Sequence, residues 1–117
     1  MIKDWCGTYY LDENKNAIPC STEDWAKQIE EMKKNKTKHV GYEKIDGKRI
    51  STVWVGLDHQ WDDNGQPLIY ETMVFDGEAY DIYCQRYSTW QEAEEGHKKA
   101  IQWVKDGCKE EEEEINE

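Results

Sequence analysis

"HVGYEKIDGKRISTVWVGLD", running from His39 to Asp58, decides how the rest of the chain must be arranged. Two runs rich in Val, Ile, Tyr and Thr flank the dipeptide Asp46-Gly47. Such a pair suits the two left-handed positions of a tight hairpin turn, and a two-residue turn sets the register of the strands it joins. The reading predicts Tyr42 opposite Ser51 and Val40 opposite Val53. "PLIYETMVFDGEAYDIYCQRY", from Pro67 to Tyr87, repeats the design through Asp76-Gly77. There it predicts Met73 opposite Tyr80, Glu71 opposite Ile82 and Ile69 opposite Cys84. The two hairpins are joined by "QWDDNGQ", so the middle of the chain reads as a four-stranded antiparallel meander.

The flanks complete an α+β domain. "GTYYLD" and "AIPC" around the turn-rich "ENKN" predict an N-terminal hairpin, with Pro19 at a strand end. "CSTEDWAKQIEEMKKNK" predicts a helix capped by Ser21, with Asp24 at its third position and Cys20 and Trp25 placed to staple its start. Trp25, Ile29 and Met32 recur at helical spacing. A second helix follows in "STWQEAEEGHKKAIQWVKDG". Thr89 and Glu92 match a capping box there, and Gly107 marks the stop. Its inward stripe is Trp90, Ala93, His97, Ala100, Ile101 and Val104. Both helices are expected on one face of the sheet, in two layers. Residues 1–108 make the domain, and residues 109–117 form an acidic tail expected to be disordered.

Charge and cysteines narrow the function. The chain of 117 residues carries a formal charge of −11, and six of its negative charges lie in the last eight residues, leaving −5 for the rest. An acidic body disfavours binding to nucleic-acid phosphates and suits a basic groove on another protein. The four cysteines are scattered without close pairs, and "MIKDWCGTYY" lacks the layout of a signal peptide. Reduced thiols and a cytoplasmic location follow. No cofactor and no metal site are expected, because zinc ligands come in close pairs.

Strand alternation offers two sheet faces. Ile69, Glu71, Met73, Phe75, Tyr80, Ile82 and Cys84 make the more apolar one, with Val53, Val55, Leu57 and His59 joining it. This face is expected beneath the helices. Trp54, Tyr70, Thr72 and Tyr83 would then lie outside, as a partner surface or as the seat of the N-terminal hairpin. On this reading Glu71 points inward, and His97 is its natural partner in a structural polar pair. The same pair has the elements of an acid and base, or of a metal site with His59. Against catalysis stands the lack of a nucleophile: Ser51, Thr52 and Thr72 lie within strands, and no nucleophile elbow occurs. Asp58 either caps the turn after its strand or, with His59, Trp61, Asp62 and Asp63, forms a polar aromatic edge for a partner. The partner-binding candidates are therefore Asp58, His59, Trp61, Asp62, Asp63, Trp54 and Tyr70.

Three motifs carry a resemblance. "GLDH" at Gly56 to His59, "ETMVF" at Glu71 to Phe75 and "YSTWQEAEEGH" at Tyr87 to His97 resemble a small, largely uncharacterised family of phage and prophage proteins. The leading "YYLDENKNAIPC" followed by a Trp-containing helix is also similar. The resemblance covers most of the chain except the tail. It implies a small accessory protein that binds and inhibits a host or defence protein, a CRISPR effector being the concrete case, inside the host cytoplasm. Two other readings stand beside it. One is a nucleotide sponge in which Trp54, Trp61 and Tyr70 stack on a base; the other is a metal-dependent hydrolase using Asp58, His59, Glu71 and His97.

Overall fold

A computed structural model describes residues 7–58, 67–77 and 81–108. Strand β1 (Tyr9–Leu11) and β2 (Ala17–Pro19) form the N-terminal hairpin. Helix α1 (Thr22–Asn35) follows. Then come β3 (His39–Ile45), β4 (Lys48–Trp54), β5 (Tyr70–Asp76) and β6 (Asp81–Tyr87), and the last element is α2 (Trp90–Lys105). The four longer strands pair in chain order as an antiparallel meander, with both helices packing on the sheet.

Local chemistry accounts for the boundaries. Asp12 holds the first hairpin turn through its carboxylate, which accepts the N–H groups of Asn14 and Asn16 at 2.8 Å each. Ser21 caps α1 by accepting the Asp24 N–H at 3.1 Å. Thr89 and Glu92 form the full capping box of α2. At the other end of α2, Gly107 donates to the Val104 carbonyl and Cys108 to that of Trp103. Gly107 takes a φ of +88° there, a helix stop that glycine adopts without steric cost.

The two Asp-Gly pairs behave differently. Asp46 and Gly47 have φ values of 51° and 80°, so Ile45 faces Lys48 and Tyr42 faces Ser51 as the turn demands. Farther along, a bulge intervenes: His39, not Val40, lies opposite Val53. At the second hairpin β5 continues through Asp76, so no two-residue turn forms there. Met73 consequently faces Cys84 and Glu71 faces Arg86, in place of the expected Tyr80 and Ile82. A second bulge leaves Ile82 without a partner on β5, between the pairs Val74–Tyr83 and Phe75–Asp81. In this register Tyr87 lies opposite Tyr70 and beneath α2.

Along β4 and β5 the covered face is the reverse of the one expected, although Ile69 is buried and Ile82 packs on the core as expected. Ile50, Thr52 and Trp54 on β4 and Tyr70, Thr72 and Val74 on β5 are all fully buried. Val53, Met73 and Phe75, which alternation places on the opposite face, are only half-buried. The reason lies in α2. Its stripe of Ala93, Gly96, His97, Ala100 and Val104 is mostly small, so the helix approaches closely and receives large side chains from the sheet. Trp54 and Tyr70 meet edge-on with centroids 5.1 Å apart, and Tyr70 meets Trp90 at 6.1 Å. Ile50 and Val74 pack with Ala100 and Val104 in a second cluster.

Helix α1 closes the end of this core. Ile29 and Met32 pack against the cluster of Tyr9, Leu11, Trp54, Ile69, Tyr70 and Ala93. Trp25 donates its indole N–H to the Val55 carbonyl at 3.0 Å. Gln28 pairs with both backbone groups of Leu11 at 2.9 Å, serving β1 as a neighbouring strand would. No described helix is long and apolar enough to cross a membrane.

Candidate functional site

The polar constellation of this fold is a chain of side chains drawn from four elements. His97, on α2, is buried and bonded at both ring nitrogens. Its Nε2 bonds the Glu43 carboxylate on β3, and its Nδ1 lies 2.6 Å from Thr52 Oγ1 on β4. Thr52 is in turn 2.6 Å from Thr72 Oγ1 on β5. In the neutral ring, Nε2–H donates to Glu43, Nδ1 accepts from Thr52, and Thr52 accepts from Thr72. Both ring nitrogens and both hydroxyls of the chain thereby gain a partner, which is what burial of these groups requires.

This arrangement corrects the expected Glu71–His97 pair. Glu71 lies on the other face of the sheet, where its carboxylate meets the Arg86 guanidinium at 3.2 Å and accepts from the Cys84 thiol at 3.5 Å. The error follows from the face assignment, since Glu71 shares a face with Met73 and Phe75 and α2 lies across the other. Glu43, Thr52 and Arg86 were missed as partners. The Asp46-Gly47 turn did contain a signal, because its register sets Glu43 opposite Ile50, on the face that is buried.

Carboxylate, imidazole and hydroxyl in series are the components of nucleophilic catalysis. Here the hydroxyl of that series is sealed. Thr52 and Thr72 have no solvent exposure, and Thr52 is held between His97 and Thr72. The chain therefore ties α2 to three strands. Among the described residues, no three His, Cys, Asp or Glu side chains converge to hold a metal ion.

Trp54 and Tyr70, expected at a partner surface or as the seat of the N-terminal hairpin, are 1% exposed and share a core cluster with Tyr9 and Leu11 of that hairpin. Burial pushes the Tyr70 phenol up to about 12. Neither ring is available to stack on a ligand. Asp58 is half-buried where β4 gives way to the loop, and its carboxylate accepts the Leu68 N–H at 3.1 Å. That bond closes the base of the loop, as the capping reading expected. His59, Trp61, Asp62 and Asp63 lie outside the described residues.

What the sheet leaves open is its second face. Tyr42, Ser51, Met73 and Cys84 form one cross-strand row on it, and Val53, Glu71 and Arg86 form the next. Arg49 lies over the Phe75 ring, 4.7 Å from its centroid. Tyr42 is 46% exposed, while Val53, Met73 and Phe75 are half-buried only by their neighbours. No described helix covers these residues. Burial, followed by the Glu71 carboxylate, raises the Cys84 thiol above its usual value, so it stays protonated. A groove of about 590 Å³ runs along β6 beside α2, lined by Leu68, Tyr83, Gln85, Tyr87, Gly96 and Lys99 among others.

Comparison of the chain with protein-family models, curated proteins and solved structures gave no match.

Proposed function

We propose that this chain is a non-catalytic accessory protein that binds and inhibits a host or defence protein, docking through the open face of its sheet. The observation that carries the reading is the division of labour between the two faces. On the helix face Glu43, His97, Thr52 and Thr72 are committed to one another. The open face presents Tyr42, Val53, Met73 and Phe75 in neighbouring rows with no described helix upon them. Contiguous apolar surface rimmed by polar groups is the usual signature of a protein partner.

Charge supports a protein partner over a nucleic acid. The chain carries −11 overall, with its densest run of glutamates in the last eight residues. A partner with a basic groove would attract the acidic chain electrostatically, while apolar contacts on the sheet would provide binding energy. The resemblance of residues 56–59, 71–75 and 87–97 to phage and prophage proteins supports a host-cell setting and a counter-defence role, a CRISPR effector or another nuclease being the target. The nucleotide-sponge reading loses support, since two of its three stacking rings are buried.

The test is a defence assay coupled to binding. Cells carrying an active nuclease defence would express the wild type, a Tyr42→Asp/Met73→Asp variant, or a Tyr10→Asp control on the exposed side of the hairpin. The proposal expects restored phage plating and a stable complex with the defence protein for the wild type and the control only. Equal activity from the folded double variant would overturn the docking face. Failure of the wild type against every defence tried would overturn the inhibitory role.

A further inference from the structure

We infer that β6 is a self-pairing edge, and that two copies of this chain join through it into one continuous eight-stranded sheet. The argument begins with the backbone. Ile69 N–H bonds the Tyr87 carbonyl, so the Tyr87 backbone groups point toward β5. In an antiparallel ladder this direction alternates along the strand, so the N–H and C=O of Arg86 and Cys84 point outward, away from β5. β6 is the last strand of the sheet, and no described strand receives those groups.

The two edges of the sheet are not equivalent. At β3 the helix lies close, because His97 bonds Glu43 and its ring presses on Gly41. At β6 the helix is reached by Tyr83 and Tyr87, which pack on Trp103 and Gly96, and a groove beside these contacts is left between the outer edge of the strand and α2. A further strand beside β6 would find space there for its inward side chains.

The sequence of β6 is complementary to itself. A two-fold axis through Cys84, the middle residue of Asp81–Tyr87, sets Cys84 opposite its own copy, Tyr83 opposite Gln85 and, with Ile82 taken up in the bulge, Asp81 opposite Arg86. No charged residue then meets its own kind. Asp81 pairs with Phe75 and Arg86 with Glu71, which places both on the open face. Arg86 of each copy therefore comes beside Asp81 of the other, at both ends of the seam. On the groove side, Tyr83 and Gln85 of each copy fill the space next to those of its partner. Cys84 is exposed, and directly opposed antiparallel residues have Cα atoms about 5.5 Å apart, within reach of a disulfide.

Sedimentation of the full chain in reducing buffer, from micromolar to millimolar concentration, tests the association. A species of twice the 13.9 kDa monomer mass is expected. Brief copper–phenanthroline oxidation should then trap a covalent dimer that Cys84→Ser abolishes, although Cys84→Ser itself still dimerises in reductant. Cys84→Pro removes an outward N–H that the monomer's own ladder does not use, and should weaken the dimer about tenfold or more. Asp81→Lys, which leaves the Glu71–Arg86 pair intact, should weaken it in the same direction and keeps the test valid should the proline variant not fold. A monomer at all concentrations would overturn the inference. So would a dimer indifferent to Cys84→Pro and Asp81→Lys, or one whose cross-link survives Cys84→Ser.

Discussion

A methyl group placed on Gly41 would sit 2.6 Å from the imidazole of His97. The glycine is the seat of the histidine ring, on the strand next to the bulge at Val40. Gly41→Ala must push the ring off its bonds to Glu43 and Thr52 or lift α2 from the sheet. Either response should destabilise the fold by about 2–3 kcal/mol, as overpacking does. Urea unfolding would show it as a lower midpoint with an unchanged slope.

His97→Ala removes the ring and takes from the buried Thr52 hydroxyl its imidazole partner. The cavity and the weakened polar chain together predict a loss of about 2–4 kcal/mol. Glu43→Gln retains a hydrogen-bond acceptor at the half-exposed end and should cost less than about 1 kcal/mol. The folded fraction of both variants should keep partner binding, since neither residue belongs to the open face. A binding loss in folded Glu43→Gln would move the functional surface toward the β3 edge.

Adjacent residues on β5 distinguish the two faces. Val74 has no exposure, whereas Met73 is half-buried on the open side. Val74→Lys places an unpaired ammonium under α2 and should prevent folding or cost more than about 4 kcal/mol. Met73→Lys should stay within about 1 kcal/mol of the wild type. Circular dichroism during thermal unfolding would rank the pair; equal damage from both would contradict the face assignment.

Helix α1 ends on Lys36, which takes the left-handed conformation at φ 59°. Its N–H bonds the Lys33 carbonyl, and that of Thr37 bonds Met32. A side chain in this conformation costs about 1 kcal/mol relative to glycine. Lys36→Gly should therefore raise the unfolding free energy by up to about 1 kcal/mol, visible as a higher Tm.

Tyr70 sets an alkaline limit. Its ordinary value near 10 is raised to about 12 by burial, so the folded chain keeps a proton that the unfolded chain releases. This contribution to stability is intact below pH 10 and is lost as the pH climbs from there through about 12. Absorbance at 295 nm should show a late tyrosine step as the fold opens, to which Tyr70 contributes together with Tyr9 and Tyr87, whose phenols burial also raises. Tyr70→Phe should reduce the amplitude of that late step by one tyrosine.

Element identities were legible from local rules. Ser21 and Thr89 cap where short side chains can reach free N–H groups, and Asp46-Gly47 turns because both residues tolerate positive φ. Asp76-Gly77 looks the same in sequence, yet Asp76 stays in the strand because the tyrosines of β6 must reach α2. Tyr87 lies against Gly96 and Tyr83 stacks on Trp103 at 4.8 Å, contacts made between elements far apart in the chain.

The sequence alone thus determined the order of strands and helices, their caps, the register of the Asp46-Gly47 hairpin near its turn and the antiparallel meander, all products of interactions within a few residues. The tertiary structure decided which face of the sheet is buried. Alternation creates two faces without ranking them, and a sum of apolar residues favoured Met73 and Phe75. Packing chose Trp54, Tyr70 and a pair of threonines instead, because a helix lined with Ala93, Gly96 and Ala100 leaves room for large rings and brings His97 to satisfy the hydroxyls. That choice also set Glu71 beside Arg86, on the face that no described helix covers.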